Sequence, residues 1–191
     1  RLMMKKCLCV ILLLVCVNAL NAANFSEKST LSLGAYGNFG AAMGGGVEFG
    51  FALYSTDLVQ VRNAVSAEMR ALKLQKEKYD SSALIFHEKL MAGILMGSSA
   101  LSHIGFAYFR PYLFISGGFG LVATKDTAMD EKPFYYEIQG GIGHEFITMS
   151  GHSMFFELGG GMGKLTHDLP EQIDNPTLGG TKFLLGYRWQ F

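Results

Sequence analysis

The strongest constraint on this chain is the alternation in residues 181–191, TKFLLGYRWQF: Thr181, Phe183, Leu185, Tyr187, Trp189 and Phe191 share one parity, and Lys182, Gly186, Arg188 and Gln190 the other. An extended segment with this pattern is apolar on one side only. A soluble domain gains little from a strand that ends on a solvent-facing Phe. A strand whose outer row meets lipid and whose end meets headgroups needs aromatic residues there. Tyr187, Trp189 and Phe191 are therefore expected to mark the closing strand of a membrane-embedded β-barrel.

The opposite end fits an exported protein. Lys5 and Lys6 precede the apolar run 7–17, which is 11 residues long, and residues 18–23 are small enough for cleavage. A membrane-spanning helix needs about 20 such residues, so 1–22 is expected to be a cleaved signal peptide and 23–191 the barrel. Cys7, Cys9 and Cys16 all lie in the leader, which leaves no disulfide framework for the remainder. Lipidation at Cys16 is the competing reading, but Val15 stands where a small residue is usual. Beyond the leader lie 13 basic and 16 acidic residues, a net charge of −3, which argues against nucleic acid as a partner. Of the whole chain, 49% is hydrophobic and only 17% charged, against about 25% charged in an ordinary soluble domain. Yet no apolar run after the leader is long enough for a spanning helix. Alternating lipid-facing and lumen-facing residues produce such a composition.

Parity divides the chain into strands. In 30–39, Leu31, Leu33, Ala35 and Phe39 oppose Ser32, Gly34, Tyr36 and Asn38; in 46–53, Val47, Phe49, Phe51 and Leu53 oppose Gly46, Glu48, Gly50 and Ala52. Residues 57–79 allow either a helical stripe or a strand. Valine richness and an even strand count favour the strand, with Gln60, Arg62, Ser66, Glu68 and Arg70 on its polar row. A charged loop is expected at 73–82. A strand at 83–96 follows, with Leu84, Phe86, Leu90, Ala92, Ile94 and Met96 outward. Glu88 interrupts that face and is expected above the hydrocarbon or beside a bulge. After a turn at 97–104, strand 106–122 carries Leu113, Ile115, Phe119 and Leu121 on one row, with Arg110 and Pro111 interrupting its ladder. Strands at 134–147, 154–162 and 178–191 complete an eight-stranded antiparallel up-and-down transmembrane β-barrel, with charged loops at 124–133 and 165–177.

The leader, Arg110-Pro111-Tyr112-Leu113 before ISGGFGL, the run IQGGIGHEF and the terminal Tyr187, Trp189 and Phe191 resemble the small eight-stranded barrels of the OmpX, OmpA-transmembrane and OmpW class. The resemblance spans the chain after the leader. It implies residence in the bacterial cell outer membrane as a monomer. The implied partners are outer-membrane lipid and the barrel-assembly machinery, which would engage the C-terminal strand.

An eight-stranded lumen has room only for side chains. Its inward row is expected to include Glu48, Glu137, Glu157, Lys182, Arg188 and Arg70, with Gln139, Gln190 and Asn38. Because Glu137, Glu157 and Arg188 lie on the last three strands, an ion-pair network is expected there. It is either structural, since buried charges must be paired, or an ion gate whose pairs rearrange. The glycine triplets 44–46 and 159–161 lack the GxGxxG spacing for nucleotide binding. His87-Glu88 and His144-Glu145 lack the second histidine of HExxH, since Met91 and Thr148 stand there. His152 and Ser153 are adjacent and so face opposite sides of a strand, which disfavours a lipid-modifying barrel enzyme. Asp168, Glu171 and Asp174 could bind a divalent cation, but an acidic surface loop is usually just solvated, and no metal site is expected.

No cofactor and no enzymatic activity are expected. The first functional expectation is a narrow porin-like channel for ions or small solutes. The alternative is an adhesin or surface-interaction protein whose loops bind host ligands. A soluble lipocalin-like barrel is the structural rival. It would turn its apolar row inward and show an outer face rich in Lys and Glu, whereas the polar rows here are mostly Gly, Ser and Gln.

Overall fold

The computed structural model describes residues 31–40, 43–73, 80–97, 99–124, 134–165 and 180–191. The signal peptide expected at 1–22 lies outside them. Eight long strands follow the chain: β1 (Leu31–Gly40), β2 (Met43–Ser55), β3 (Val59–Lys73), β4 (Asp80–Ile94), β6 (Tyr108–Thr124), β7 (Phe134–Ile147), β8 (His152–Leu165) and β9 (Gly180–Gln190). Between β4 and β6 lie a two-residue strand, β5 (Met96–Gly97), and one helical turn, α1 (Ser99–Ser102). Every long strand pairs antiparallel with its neighbours in the chain, and β1 pairs with β9 from Ser32↔Gln190 to Gly40↔Lys182. The ring is thereby closed, and among the described residues each long strand is paired on both sides.

Side chains sort by parity into two environments. Leu33, Val47, Met69, Leu84, Leu113, Ile138, Leu158 and Leu185, one from each long strand, are exposed on the outside. Glu48, Glu68, Arg70, Lys89, Arg110, Glu137, Glu145, Glu157, Lys182 and Arg188 are buried inside. This arrangement is the reverse of a soluble barrel and the one a bilayer requires. Residues 59–73 resolve to strand, as valine and parity indicate.

Several boundaries differ from expectation. The stretch expected from residue 57 becomes strand only at Val59, because the Thr56 hydroxyl accepts the Leu58 and Val59 amides and holds a turn there. Asp80–Ile94 reaches into the expected loop at 73–82, and His152–Leu165 extends the expected strand 154–162 at both ends. In β2 the register shifts between Ala52 and Tyr54, so Tyr54, not Leu53, occupies the exposed outer position opposite Val61. Glu88 is neither above the strand nor at a bulge. It is exposed in the middle part of β4, between Val65 and Gly117. Its carboxylate accepts the Asn63 amide at 3.0 Å, a diagonal neighbour on the same face. Pro111 is tolerated because its strand changes partner nearby: Tyr112 pairs with Gly93 of β4, and Phe109 with Met96 of β5.

Two glycines show how tightly the ring is filled. Gly151 turns the chain between β7 and β8 at φ +82°, where a Cβ would lie 2.3 Å from the Gln190 carbonyl oxygen. A Cβ on Gly143 would fall 2.2 to 2.6 Å from the Tyr112 ring inside the lumen, whereas one on outward Gly117 would meet nothing within 4 Å. Gly143→Val is expected to lower stability by about 1–3 kcal/mol through overpacking. Gly117→Val is expected to be neutral or slightly stabilising, since β-branched residues suit strands. Urea unfolding of the two variants in lipid vesicles measures both effects, and equal destabilisation would contradict the assigned faces.

Candidate functional site

The inward charges form two groups stacked along the barrel axis. One lies toward the end where β1 finishes and β9 begins, and is centred on Glu137 of β7. Arg70 of β3 grips this carboxylate with both terminal nitrogens, at 2.9 and 3.0 Å, a bidentate pair that fixes both partners in one plane. Lys182 of β9 adds a contact of 2.9 Å to Glu137 Oε1, and Tyr135 and Gln139 donate to the same carboxylate. Arg70 Nε also donates to Glu68 Oε1 at 2.7 Å, and Asn38 Nδ2 donates to that oxygen at 2.8 Å. The His87 ring lies between the two carboxylates, with its nitrogens 3.4 Å from Glu68 and 3.4 Å from Glu137.

The second group lies toward the end where β1 begins and β9 finishes, and is centred on Arg188. Its guanidinium stacks on Phe155, with Cζ 3.7 Å from the ring centroid, a favourable setting for a buried cation. Arg188 Nε donates to Glu48, Nη1 reaches Glu145 at 3.2 Å and Nη2 reaches Glu157 at 3.3 Å. Lys89 of β4 donates to Glu157 at 2.8 Å and lies 3.5 Å from Glu48, with the rings of Tyr36, Phe114 and Phe155 around its ammonium at 5.5 to 6.0 Å. Tyr112 donates to Glu157 at 2.8 Å. Below them Arg110 binds Glu145 and Gln60, and Ser153 and Gln190 donate to the second oxygen of Glu145 at 2.6 and 2.8 Å.

The sequence-predicted residues thus divide. Glu48, Glu157 and Arg188 meet in one group, whereas Glu137 and Lys182 belong to the other, so Glu137 does not pair with Arg188. Adjacency of strands suggests one network, but the tilt of the strands carries Glu137 to a different level. Glu68, His87, Lys89, Arg110 and Glu145 are members that the expected ion-pair network lacks. Their parity is readable: His87 and Lys89 alternate with the outward Phe86 and Leu90, but Glu88 between them breaks the outer row and masks the pattern. Arg110 does not merely interrupt the ladder; it turns inward.

Outside the barrel, Trp189 and Phe191 pack with ring centroids 4.9 Å apart, and Trp189 also stacks on His152. His152 Nδ1 is hydrogen-bonded to the Tyr187 hydroxyl, whereas Ser153 is buried on Glu145, so the two residues share no proton. The acidic residues Asp168, Glu171 and Asp174 lie outside the described residues. Among the described residues no group of His, Cys, Asp and Glu could hold a metal ion.

No protein-family model and no curated protein matches this sequence. Solved structures do resemble the fold. The N-terminal β-barrel domain of Pseudomonas aeruginosa OprF matches 86% of this chain and 100% of that one at 14% identity, with a TM-score of 0.52. A major outer membrane protein from Thermus thermophilus matches 87% and 100% at 11% identity, with a TM-score of 0.54. Neisserial surface protein A, NspA, matches 87% and 100% at 11% identity, with a TM-score of 0.51. The chain therefore has the fold of the small eight-stranded outer-membrane β-barrels.

Buried charge makes the lumen sensitive to deletion. Glu137→Ala strips Lys182 of its carboxylate and leaves Arg70 with Glu68 alone, and is expected to cost about 3–5 kcal/mol of folding stability. Exposed Lys164→Ala is expected to cost no more than about 0.5 kcal/mol. Reversible unfolding in vesicles measures the difference, and similar values for the two would show that the pairing is not what holds the lumen.

Proposed function

We propose that this protein is a monomeric, gated conduit for small ions across the outer membrane, and that its gate is the ring Glu48, Arg188, Glu157 and Lys89. The observation that carries this reading is that each of the two carboxylates lies near both cations. Arg188 contacts Glu48 and lies 3.3 Å from Glu157, while Lys89 lies 2.8 Å from Glu157 and 3.5 Å from Glu48. Two pairings of the same four groups are therefore close in geometry. In one, Arg188 holds Glu48 and Lys89 holds Glu157; in the other, the partners are exchanged.

The exchange matters because Arg188, stacked on Phe155, fills the middle of the lumen. Pulling it away with nothing in its place would break a buried pair, at about 3–5 kcal/mol. At about 1.4 kcal/mol per factor of ten, that holds the displaced state to roughly 1% or less. Lys89 removes most of this penalty by moving onto the carboxylate that Arg188 leaves. Its surrounding aromatic rings supply a further weak site for the ammonium during the move. Rings of charged side chains that admit ions while remaining compensated are a known physical basis of selectivity and gating.

Single-channel recording of the purified barrel in planar bilayers tests this proposal. The unmodified protein is expected to show discrete conductance steps. Lys89→Met is expected to reduce open probability at least tenfold, because the carboxylates then have only Arg188, while Glu48→Gln is expected to raise it by loosening the Arg188 anchor. A native barrel that never conducts, or variants that leave its gating unchanged, would refute the gate.

A further inference from the structure

His87 of β4 is buried in the group centred on Glu137, and both of its ring nitrogens face carboxylates. Nε2 lies 3.4 Å from Glu68 Oε2 of β3, and Nδ1 lies 3.4 Å from Glu137 Oε1 of β7. An ionised carboxylate only accepts hydrogen bonds, whereas a neutral imidazole carries one N–H and one bare lone pair. Whichever tautomer the neutral ring adopts, one lone pair points at a negative oxygen, and Nε2 is buried without a hydrogen-bond partner. Only the imidazolium has a donor for each carboxylate.

The backbone holds the ring in this position. Gly118 of β6 pairs with His87, and a Cβ there would lie 2.6 Å from Nδ1 and 3.2 Å from the Glu137 Cγ. The glycine thus leaves the space through which the ring reaches past β6 to β7. The inward residues of β6 at this level, Ser116, Gly118 and Gly120, carry no charge. The other charged or titratable groups around the ring are mostly held by the same two carboxylates. Arg70 of β3 bridges them, Tyr36 of β1 donates to Glu68 Oε2 at 3.4 Å, and Tyr135 donates to Glu137. Lys182 of β9 lies 2.9 Å from Glu137 Oε1, the oxygen that His87 faces. Lys89, two residues along β4, is drawn instead to Glu157 and Glu48. With the ring neutral, Glu68 and Glu137 are balanced by Arg70 and Lys182. A proton on His87 adds a third cation, and Lys182 is the one able to yield. It stands near the start of β9 (Gly180–Gln190), and its long stem lets the ammonium turn toward that end of the barrel, whereas Arg70 is held by both carboxylates.

We propose that His87 is a proton-binding site that acts as an acid-operated clamp on the lumen. Protonation gives each ring nitrogen a donor, turns its two carboxylate contacts into charge-assisted hydrogen bonds, and exchanges Lys182 for His87 on Glu137 Oε1. β3 and β7, which share no backbone pairing, are then bridged by the imidazolium as well as by Arg70, so the passage at this level narrows and gains positive charge. The clamp lies at a different level from the ring Glu48, Arg188, Glu157 and Lys89. The proton site does not rest on that gate; its effect on ion passage rests on the conduit reading.

The test uses the refolded protein in detergent micelles with nitrogen-15 in its histidine rings, followed by long-range proton–nitrogen NMR from about pH 8 to about pH 5. His87 is identified by the signals lost in His87→Gln. One bare and one protonated nitrogen are expected at the alkaline end, and at the acid end two protonated nitrogens whose hydrogens exchange slowly with water. Glu68→Gln is expected to move the second protonation toward acid by about one pH unit or more. A ring that keeps a bare nitrogen throughout, or never shows one, overturns the switch, as does a titration that Glu68→Gln leaves unchanged. Should that variant fail to fold, the native spectrum decides, since fast exchange of either ring hydrogen at the acid end overturns the clamp. In planar bilayers, acidification is expected to lower the native conductance and to leave that of His87→Gln unchanged. Equal falls in both overturn the clamp, whereas a protein silent at every pH refutes conduction alone and leaves the ring titration to decide.

Discussion

A ring of eight strands leaves an interior only as wide as the side chains that meet across it, and any charge placed there must be answered by another charge placed there. Most of this protein's organisation follows from that constraint. Arg188 is answered by three carboxylates from β2, β7 and β8, and Glu137 by cations from β3 and β9. Contacts of this kind tie together strands that share no backbone hydrogen bond. They supply the interior contacts that an apolar core supplies in a soluble domain. Most of the large aliphatic residues are committed to the outside, where lipid replaces water, while Tyr36, Phe114 and Phe155 pack inside against the charges.

Such an interior is rigid in composition but not necessarily in pairing. Where two carboxylates and two cations lie close together, as Glu48, Glu157, Arg188 and Lys89 do, partners can change at constant charge.

The fold is legible in the sequence because a lipid-facing strand obeys a strict two-residue period. Phe183, Leu185 and Tyr187 against Lys182 and Arg188 already separate outside from inside, and β1 and β7 follow the same rule. What parity does not contain is height. Strand tilt decides which inward residues meet, so Glu137 separates from Glu157 and Arg188 although all three point inward. Local exceptions are also hidden: the β2 bulge moves Tyr54 outward in place of Leu53. Glu88 remains on the outer face in the middle of its strand because Asn63 satisfies it, a pairing visible only once β3 and β4 are in register. Arg110, next to a proline, reads as an interruption and is an integral part of the lower charge group.

Orientation comes before everything else, and three adjacent positions on β9 test it directly. The three cysteines of the sequence all precede residue 17, so single cysteines at Phe183, Leu184 and Leu185 in the chain expressed without residues 1–22 can each carry a nitroxide without interference. With the protein in bilayers, collision rates with dissolved oxygen should be high at 183 and 185 and low at 184. The reverse alternation, or labels at 183 and 185 that respond to a water-soluble nickel reagent instead of oxygen, would show that the apolar rows do not face lipid.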